Sequence, residues 1–409
     1  MNIAVVTRFV HNVGGIESYL AAVMPALASR GHRLRVWHEH PADPKGAALA
    51  PDIVSTWLGP EAGAQAAALA DLSAWRPDLL FLHGLDAADL QERLPQDVPV
   101  VTMLHAYDGT CISGTKLHAF PTPTPCSRPL GPGCLVNYYP RRCGGWHPGT
   151  MLRLYGQQRR HQRWLTRSTA VATLSAHMGR EAIAQGVHPS VVTSLPQFVP
   201  APAVGTPVLS DRRTGRHVGF VGRLEWTKGV HLLLEAIGVL APRTLEGLQV
   251  TIAGDGRDRP GCEAAARRLR DHGVRCAFTG WLAAGPRAAL LDTLDLLVVP
   301  SIWPEPFGLV GLEAAAARVP ALAFDLGGIG EWLQDDVTGR LLPGPARART
   351  LAAGLEDCLA DRTRLRAWGA AAGRLAATQT LDRHVDALVD LFERTAQPTA
   401  SGRSHAGHG

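Results

Sequence analysis

Lysine is almost missing from this chain: of 41 basic residues in 409, only Lys45, Lys116 and Lys228 are lysines. The remainder are arginines, and beside abundant alanine and glycine this bias fits a GC-rich bacterial genome in which a lysine is seldom kept without reason. Lys228 therefore stands out before any motif is considered, whereas Lys45 reads equally well as a chance surface residue. Other absences narrow the function. No apolar run reaches the length of a membrane span, and the opening MNIAVVTRFVHNVGG lacks the charge order and cleavage site of a signal peptide, so a soluble, cytoplasmic protein without an integral membrane segment is expected. The formal charge of +5 is small for the length and gathers into no dense basic block, which argues against a nucleic-acid partner. Seven cysteines is an odd number in a chain without export signals, so a full disulfide framework is not expected. Four of them, Cys111, Cys126, Cys134 and Cys143, fall close together but contain no C-x-x-C. Ordinary reduced thiols, a local disulfide pair and a zinc site aided by His118 and His147 all stay open there. Finally, Gly254, Gly256 and Gly261 follow a strand-like run but miss the dinucleotide spacing, and no suitably placed acid follows them, which disfavours a nicotinamide enzyme.

What is present is alternation. Strand-like runs at Ile3–Thr7, Leu34–Trp37, Leu79–His83, Val98–Leu104, Ala170–Leu174 and Val191–Leu195 are separated by helical patterns such as Ile16, Leu20, Val23 and Leu27. A Pro- and Gly-rich stretch at 199–216 carries no period and reads as a linker. Alternation then restarts with strands at His217–Val221, Leu248–Ala253, Arg275–Thr279, Leu296–Val299 and Pro320–Phe324. This predicts an α/β protein with two doubly wound, Rossmann-like domains facing a central cleft: a first domain over 1–200, a linker at 201–216 and a second domain over 217–380. A last helix at 381–396 returns to the first domain, and 397–409 form a disordered tail. Residues 106–149, long and rich in Pro, Gly and Cys, are too long for a routine connection and read as a lid, an acceptor-binding insert or a stapled surface loop.

The chemistry-bearing residues concentrate in PSIWPEPFGLVGLEAAAARVPALAFDLGGIGE, residues 300–331. Pro306 suits the first position of a helix, which would put Glu305 at its cap and Glu313 two turns along, roughly 12 Å away. That distance matches the separation of the two sugars in a nucleotide-sugar, and free N–H groups at Phe307, Gly308 and Leu309 would face its diphosphate. Apolar neighbours leave this helix almost no polar face, so Glu313 is expected to be buried and in need of donors. The alternative is a solvated cap and a surface carboxylate. Earlier in the chain, Gly14 and Gly15 open the first helix after the first strand, where a backbone can approach a phosphate or sugar. Gly222, Arg223, Lys228 and Gly229 lie in GFVGRLEWTKG between a strand and a helix, and two cations there suit a diphosphate without any metal.

Together, Gly14-Gly15, GRLEWTKG at 222–229, EPFGLVGLE around the Glu305 and Glu313 pair, and GGIGE at 327–331 resemble glycosyltransferase family 4 over nearly the whole chain. The resemblance implies the GT-B fold and metal-independent transfer with retained anomeric configuration from a nucleotide-sugar donor, with no cofactor, the donor being held mainly by the second domain, 217–380, and the first, 1–200, lying on the acceptor side. By the same resemblance, Arg223 and Lys228 bind the diphosphate and Glu313 the ribose. Glu305, with the backbone from Phe307 through Gly308 and Leu309 to Val310, holds the sugar and phosphate. His105 matches a family histidine beside the donor sugar, although Ala106 follows it where many relatives have an acid, and Asp108 comes two residues later. Ser175 in VATLSAHM matches a family position that caps a helix, and the loop cysteines resemble those of some members. Glu17 and His83 are candidate acceptor contacts, the acceptor being a hydroxyl on a small molecule or a lipid-linked glycan. A same-fold phosphorylase or epimerase, and a non-catalytic nucleotide-sugar-binding regulator, are the rival readings.

Overall fold

The central strands of this chain are short apolar runs buried on both faces, as parallel strands covered by helices require. LLFL at Leu79–Leu82 and LLVV at Leu296–Val299 are buried at every position. The computed structural model describes residues 1–11, 14–43, 48–199 and 215–397. The expected linker therefore lies outside the described residues except for its last two positions, as do Lys45 and all but the first residue of the expected tail. Among the described residues, no helix is long and apolar enough to cross a membrane.

The first sheet contains β1 (Asn2–Thr7), β2 (Arg33–His38), β3 (Ser55–Trp57), β4 (Leu79–Leu82), β5 (Val100–Leu104), β8 (Ala170–Thr173) and β9 (Val192–Ser194), while β6 (Leu117–His118) and β7 (Thr124–Pro125) form a small separate hairpin. Its order is β3-β2-β1-β4-β5-β8-β9, parallel throughout. The second sheet contains β10 (His217–Val221), β11 (Gln249–Ala253), β12 (Arg275–Gly280), β13 (Leu296–Val299), β14 (Ala321–Phe324) and β15 (Gly339–Leu342), in the order β12-β11-β10-β13-β14-β15, also parallel. In each sheet the winding direction reverses between the first strand and its later neighbour, β1 beside β4 and β10 beside β13. Loops leaving the carboxyl ends of those strands are the ones such folds use for ligands. These loops carry Gly14, His83, Gly222 and Glu305.

The helix Leu381–Ala396 lies against the first domain, with Val385, Leu388 and Phe392 in one apolar cluster with Ile3, Leu20 and Phe81. Arg30 also bridges Asp382 and Asp386 of that helix at 2.9 Å each. The last described helix is thus tied to the first domain.

Within the two parallel sheets, two strands escape the sequence pattern. Ser55–Trp57 is a three-residue edge strand with mostly exposed side chains, and Gly339–Leu342 carries an arginine in its middle. Neither presents the apolar run that marks the central strands.

Candidate functional site

Glu305 sits before a helix, not on one. The helix expected from Pro306 begins instead at Leu309, after Gly308 at φ 94°. The reason is a backbone pairing: the Glu305 N–H donates to the Leu326 carbonyl at 3.2 Å, and its own carbonyl accepts from the Gly328 N–H at 2.7 Å. Pairing this close requires the glycines of GGIGE. A β-carbon on Gly327 would lie 2.2 Å from the Glu305 carbonyl oxygen, and one on Gly328 would lie 2.6 Å from that of Pro306. Trp332 Nε1 then donates to the Phe307 carbonyl at 2.7 Å, fixing the last turn before the helix. Extended backbone held against a neighbouring loop therefore overrides the proline signal, and Glu305 and Glu313 are not two positions of one helix.

Glu305 is 4 % exposed and is paired with Lys228, whose Nζ lies 2.7 and 2.9 Å from its two carboxylate oxygens. Ser301 Oγ donates to the same carboxylate. Burial acts to raise the carboxyl, but the Lys228 charge and the hydrogen bonds from Lys228 and Ser301 outweigh it, and the net shift is downward. The two partners are 77 residues apart and meet because two loops run together. The Ile302 N–H donates to the Thr227 carbonyl at 2.9 Å, and Gly229, at φ 72°, passes so close that a β-carbon there would lie 1.9 Å from the Pro300 oxygen. Lys228 Nζ also stands 5.0 Å from the Trp303 ring centroid. Arg223, by contrast, is exposed and makes no hydrogen bond or ion pair among the described residues.

Glu313 is half-buried, with its side chain 18 % exposed, and its donor is a protein group: Arg287 Nη2 lies 2.9 Å away. Burial raises the Glu313 carboxyl, and the Arg287 charge only partly offsets it. Nothing in the sequence linked Arg287, on the helix Ala284–Thr293, to Glu313. Both residues line a cavity between the two domains. Its second-domain wall includes Gly222, Gly254, Trp281, Leu309 and Val310, and its first-domain wall includes Gly14, Gly15, Ser18 and Tyr19. A β-carbon on Gly15 would meet nothing within 4 Å, so there the missing side chain leaves open room facing the cleft. Gly254 is different: at φ 140°, its β-carbon would lie 1.8 Å from the Gly222 oxygen. Gly254 and Gly256, two of the glycines that failed as a dinucleotide motif, thus serve to bring the segments after β10 and β11 together, whereas Gly261 has no such close neighbour. Arg223, Lys228 and Glu305 do not line this cavity themselves, although Gly222 next to Arg223 does.

The first-domain candidates lie deeper than expected. His83 Nδ1 is 2.8 Å from His105 Nε2, and the two rings stack at 5.1 Å. They line a small separate cavity with Asp108 and His161. Burial holds the His105 imidazole at about 3, with Arg8 and His384 adding to the shift, and keeps His83 well below the ordinary histidine range. Both are neutral at ordinary pH. His83 is 2 % exposed and Glu17 4 %, so neither offers the open surface expected of an acceptor contact. Tyr19 connects this group to the cleft, since its ring lies 5.2 Å from His105 while the residue lines the interdomain cavity.

Contacts across the cleft hold the two domains together. Tyr107 Oη donates to the Pro304 carbonyl at 2.9 Å, and Ser175 Oγ donates to that of Pro306. Ser175 Oγ also accepts from the Met178 N–H at 3.1 Å, so it caps the helix Ala176–Ala184 as well as bridging the domains. The Glu331 carboxylate accepts from the Ala176 and His177 N–H groups at 3.0 Å each, placing a negative charge at that helix's positive end. The final residue of GGIGE is thereby a domain-docking group.

Two parallel-sheet domains with a cleft between the carboxyl ends of their strands define a GT-B protein. Two family descriptions match: Glycosyltransferase Family 4 over residues 13–201 and Glycosyl transferases group 1 over residues 207–374. The chain belongs to glycosyltransferase family 4. Among its relatives, a glycogen synthase of Mycobacterium tuberculosis is 32 % identical over 294 residues, 70 % of this chain and 61 % of that one, so the match spans about six-tenths of that relative's length. A 2-deoxystreptamine glucosyltransferase of Streptomyces kanamyceticus is 30 % identical over 214 residues, 49 % of this chain and 54 % of that one. The Anabaena protein HepE, solved in complex with UDP, shares the fold, with a TM-score of 0.67 at 18 % identity over 96 % of this chain and 100 % of that one.

Proposed function

We propose that this chain is a retaining, metal-independent hexosyltransferase moving a sugar from a UDP- or GDP-sugar to a hydroxyl acceptor, in the synthesis of an envelope glycan or a secondary metabolite. The observation that carries the reading is the interdomain cavity. One wall presents the first turn of the helix Leu309–Ala316, whose leading N–H groups have no intrahelical acceptor, together with the Glu313 carboxylate. That pairing of anion-binding amides with a hydroxyl-binding carboxylate suits a nucleoside diphosphate. Arg223, without a hydrogen-bond or ion-pair partner among the described residues, and Lys228 supply the cations.

In this reading the acceptor oxygen bonds to the anomeric carbon on the face from which the diphosphate departs. The bond from that carbon to the phosphate oxygen breaks, and the acceptor proton passes to the same departing oxygen. No separate protein base is needed, which agrees with the weak basicity that burial gives His83 and His105. Glu305 and Lys228 act as a pair: the carboxylate positions the ammonium, and the ammonium offsets the charge growing on the leaving phosphate.

Trp281, 61 % exposed and lining the same cavity, offers a flat apolar face for the base. Stacking of this kind contributes about 1–3 kcal/mol. Titration calorimetry with UDP and GDP tests the donor half of the proposal. Binding of at least one nucleotide is expected, with the Trp281→Ala variant weakened about 5- to 150-fold. A protein that binds neither nucleotide would contradict the donor assignment.

A further inference from the structure

Acids are absent from one long stretch of this chain. Residues 109–180 hold Lys116 and nine arginines and no Asp or Glu, although the whole chain carries only +5. The rest of the molecule is therefore net negative, and the excess positive charge belongs to one part of the first domain. Among the described residues only Lys116 and Arg163 of that stretch pair with a carboxylate, Glu181 at 2.7 Å and Glu92 at 3.2 Å. On the helix Pro148–Arg167, Arg153, Arg160, Arg163 and Arg167 recur at a helical interval and are all exposed, opposite the buried Gln158, Gln162 and Leu165. The four cysteines of the stretch are free, and no three of their sulfurs lie within 4.8 Å of one another, so these charges do not serve a thiolate site.

Just ahead of that helix stands an aromatic patch. Trp146 is 70 % exposed and Phe120 45 %. The Arg142 guanidinium joins them, 4.7 Å from the Phe120 ring centroid and 6.0 Å from that of Trp146, on which Tyr139 also stacks at 6.1 Å. Backbone bonds hold the patch in shape: the Arg141 carbonyl accepts from the Ala119 and Phe120 N–H groups at 2.9 and 3.2 Å, and the Arg142 N–H donates to the Tyr139 carbonyl at 3.0 Å. Leu152, 57 % exposed, lies at the edge of the arginine stripe. Aromatic side chains held in one place and presented to water mark a surface that another body covers.

Charge decides what covers it. A second copy of the chain, paired face to face, would set arginine against arginine with no acid in the stretch to meet them. A nucleic acid would match the charge, but the Phe120 and Trp146 rings already carry Arg142 and Tyr139, and Leu152 gives a base nothing to stack on. An anionic bilayer meets both halves: guanidinium groups bond headgroup phosphates, while aromatic and aliphatic side chains enter the interfacial zone. We propose that Phe120, Arg142, Trp146 and Leu152, with the arginine stripe of the helix Pro148–Arg167, dock the first domain on an anionic lipid surface. The docking itself does not depend on the proposed transfer. Resting on that reading, it selects the lipid-linked acceptor over the small-molecule one, because the segment that carries the patch begins at Tyr107, which reaches Pro304 across the cleft.

Flotation of the full chain with phosphatidylcholine vesicles, with and without phosphatidylglycerol, tests the docking and needs no activity. The expected result is binding only where phosphatidylglycerol is present, weakening as salt rises from about 0.1 to about 1 M. Arg153→Gln/Arg160→Gln should weaken it about 30-fold and Trp146→Ala about fivefold, with melting temperatures unchanged because these side chains are exposed. Arg267→Gln/Arg268→Gln, the same loss of charge on an exposed part of the second domain, should leave it unchanged. No binding, equal binding to both vesicles, or equal weakening by the two double variants would overturn the proposal. So would binding of single-stranded RNA, or a dimer that Trp146→Ala dissolves, in a chain that leaves the vesicles alone. Vesicle binding by a chain that transfers no sugar would uphold the docking and discard only the acceptor.

Discussion

Replacing Lys228 with alanine is expected to lower transfer turnover about 100- to 1,000-fold, the usual loss when one preorganised group opposite a developing anion is removed. The structure adds a second consequence. Glu305, 4 % exposed, would lose the charge that offsets its burial and keep the Ser301 hydroxyl as its donor, and orphaning one member of a buried pair costs about 3–5 kcal/mol. Loss of activity in the single variant would thus mix catalysis with stability. The Lys228→Ala/Glu305→Gln double variant separates them: neutralising the orphaned carboxylate should restore most of the melting temperature and none of the turnover. Near-normal turnover in Lys228→Ala would remove Lys228 from the mechanism. Recovery of turnover in the double variant would make the pair a structural device.

Stability is expected to fall steeply as pH drops from 6.5 to 5, before most carboxylates titrate. His83, His105 and His384 are buried neutral, and burial holds His105 at about 3 and His384 at about 4. The His384 tautomer follows from its contacts: Nδ1, 2.6 Å from the Pro196 carbonyl, must donate, so Nε2, 2.8 Å from Tyr19 Oη, accepts. An unfolded histidine takes up its proton near 6.5. Below that value the unfolded chain binds protons that the native chain refuses, so stability is full above about 6.5 and declines as pH falls. Each such histidine contributes a slope of up to about 1.4 kcal/mol per pH unit. Burial lowers His161 and His177 in the same direction. Thermal melts across this range should show the decline, and His384→Gln should flatten it by about one proton. A flat melting temperature from pH 7 to 5 would contradict the buried neutral assignment.

How legible the molecule was from its sequence depended on whether a feature is local. Buried parallel strands are continuous apolar runs, so Leu296–Val299 and His217–Val221 stand where periodicity puts them. The edge strand Ser55–Trp57 buries too little to leave a pattern. Lys228 was conspicuous because lysine is rare here, but its partner was not: the pair with Glu305 forms through a glycine-permitted approach of two loops. Pro306 misled because a local helix-start signal lost to the pairing of Glu305 with Leu326 and Gly328. Arg287 and Glu313, 26 residues apart on different helices, and the cluster of Tyr19, His83, His105 and His384 from four separate elements exist only once the chain is folded.

The central claim is that the cleft transfers a sugar to an acceptor. Its most direct test is to incubate the full chain with a panel of nucleotide-sugars and hydroxyl acceptors, following nucleotide release and product mass and assigning the product's anomeric configuration by NMR. The account predicts release that depends on acceptor and a glycoside with the donor's configuration retained. Inverted product, sugar 1-phosphate or epimerised donor without a glycoside, or donor binding with no acceptor-dependent turnover across the panel would contradict it.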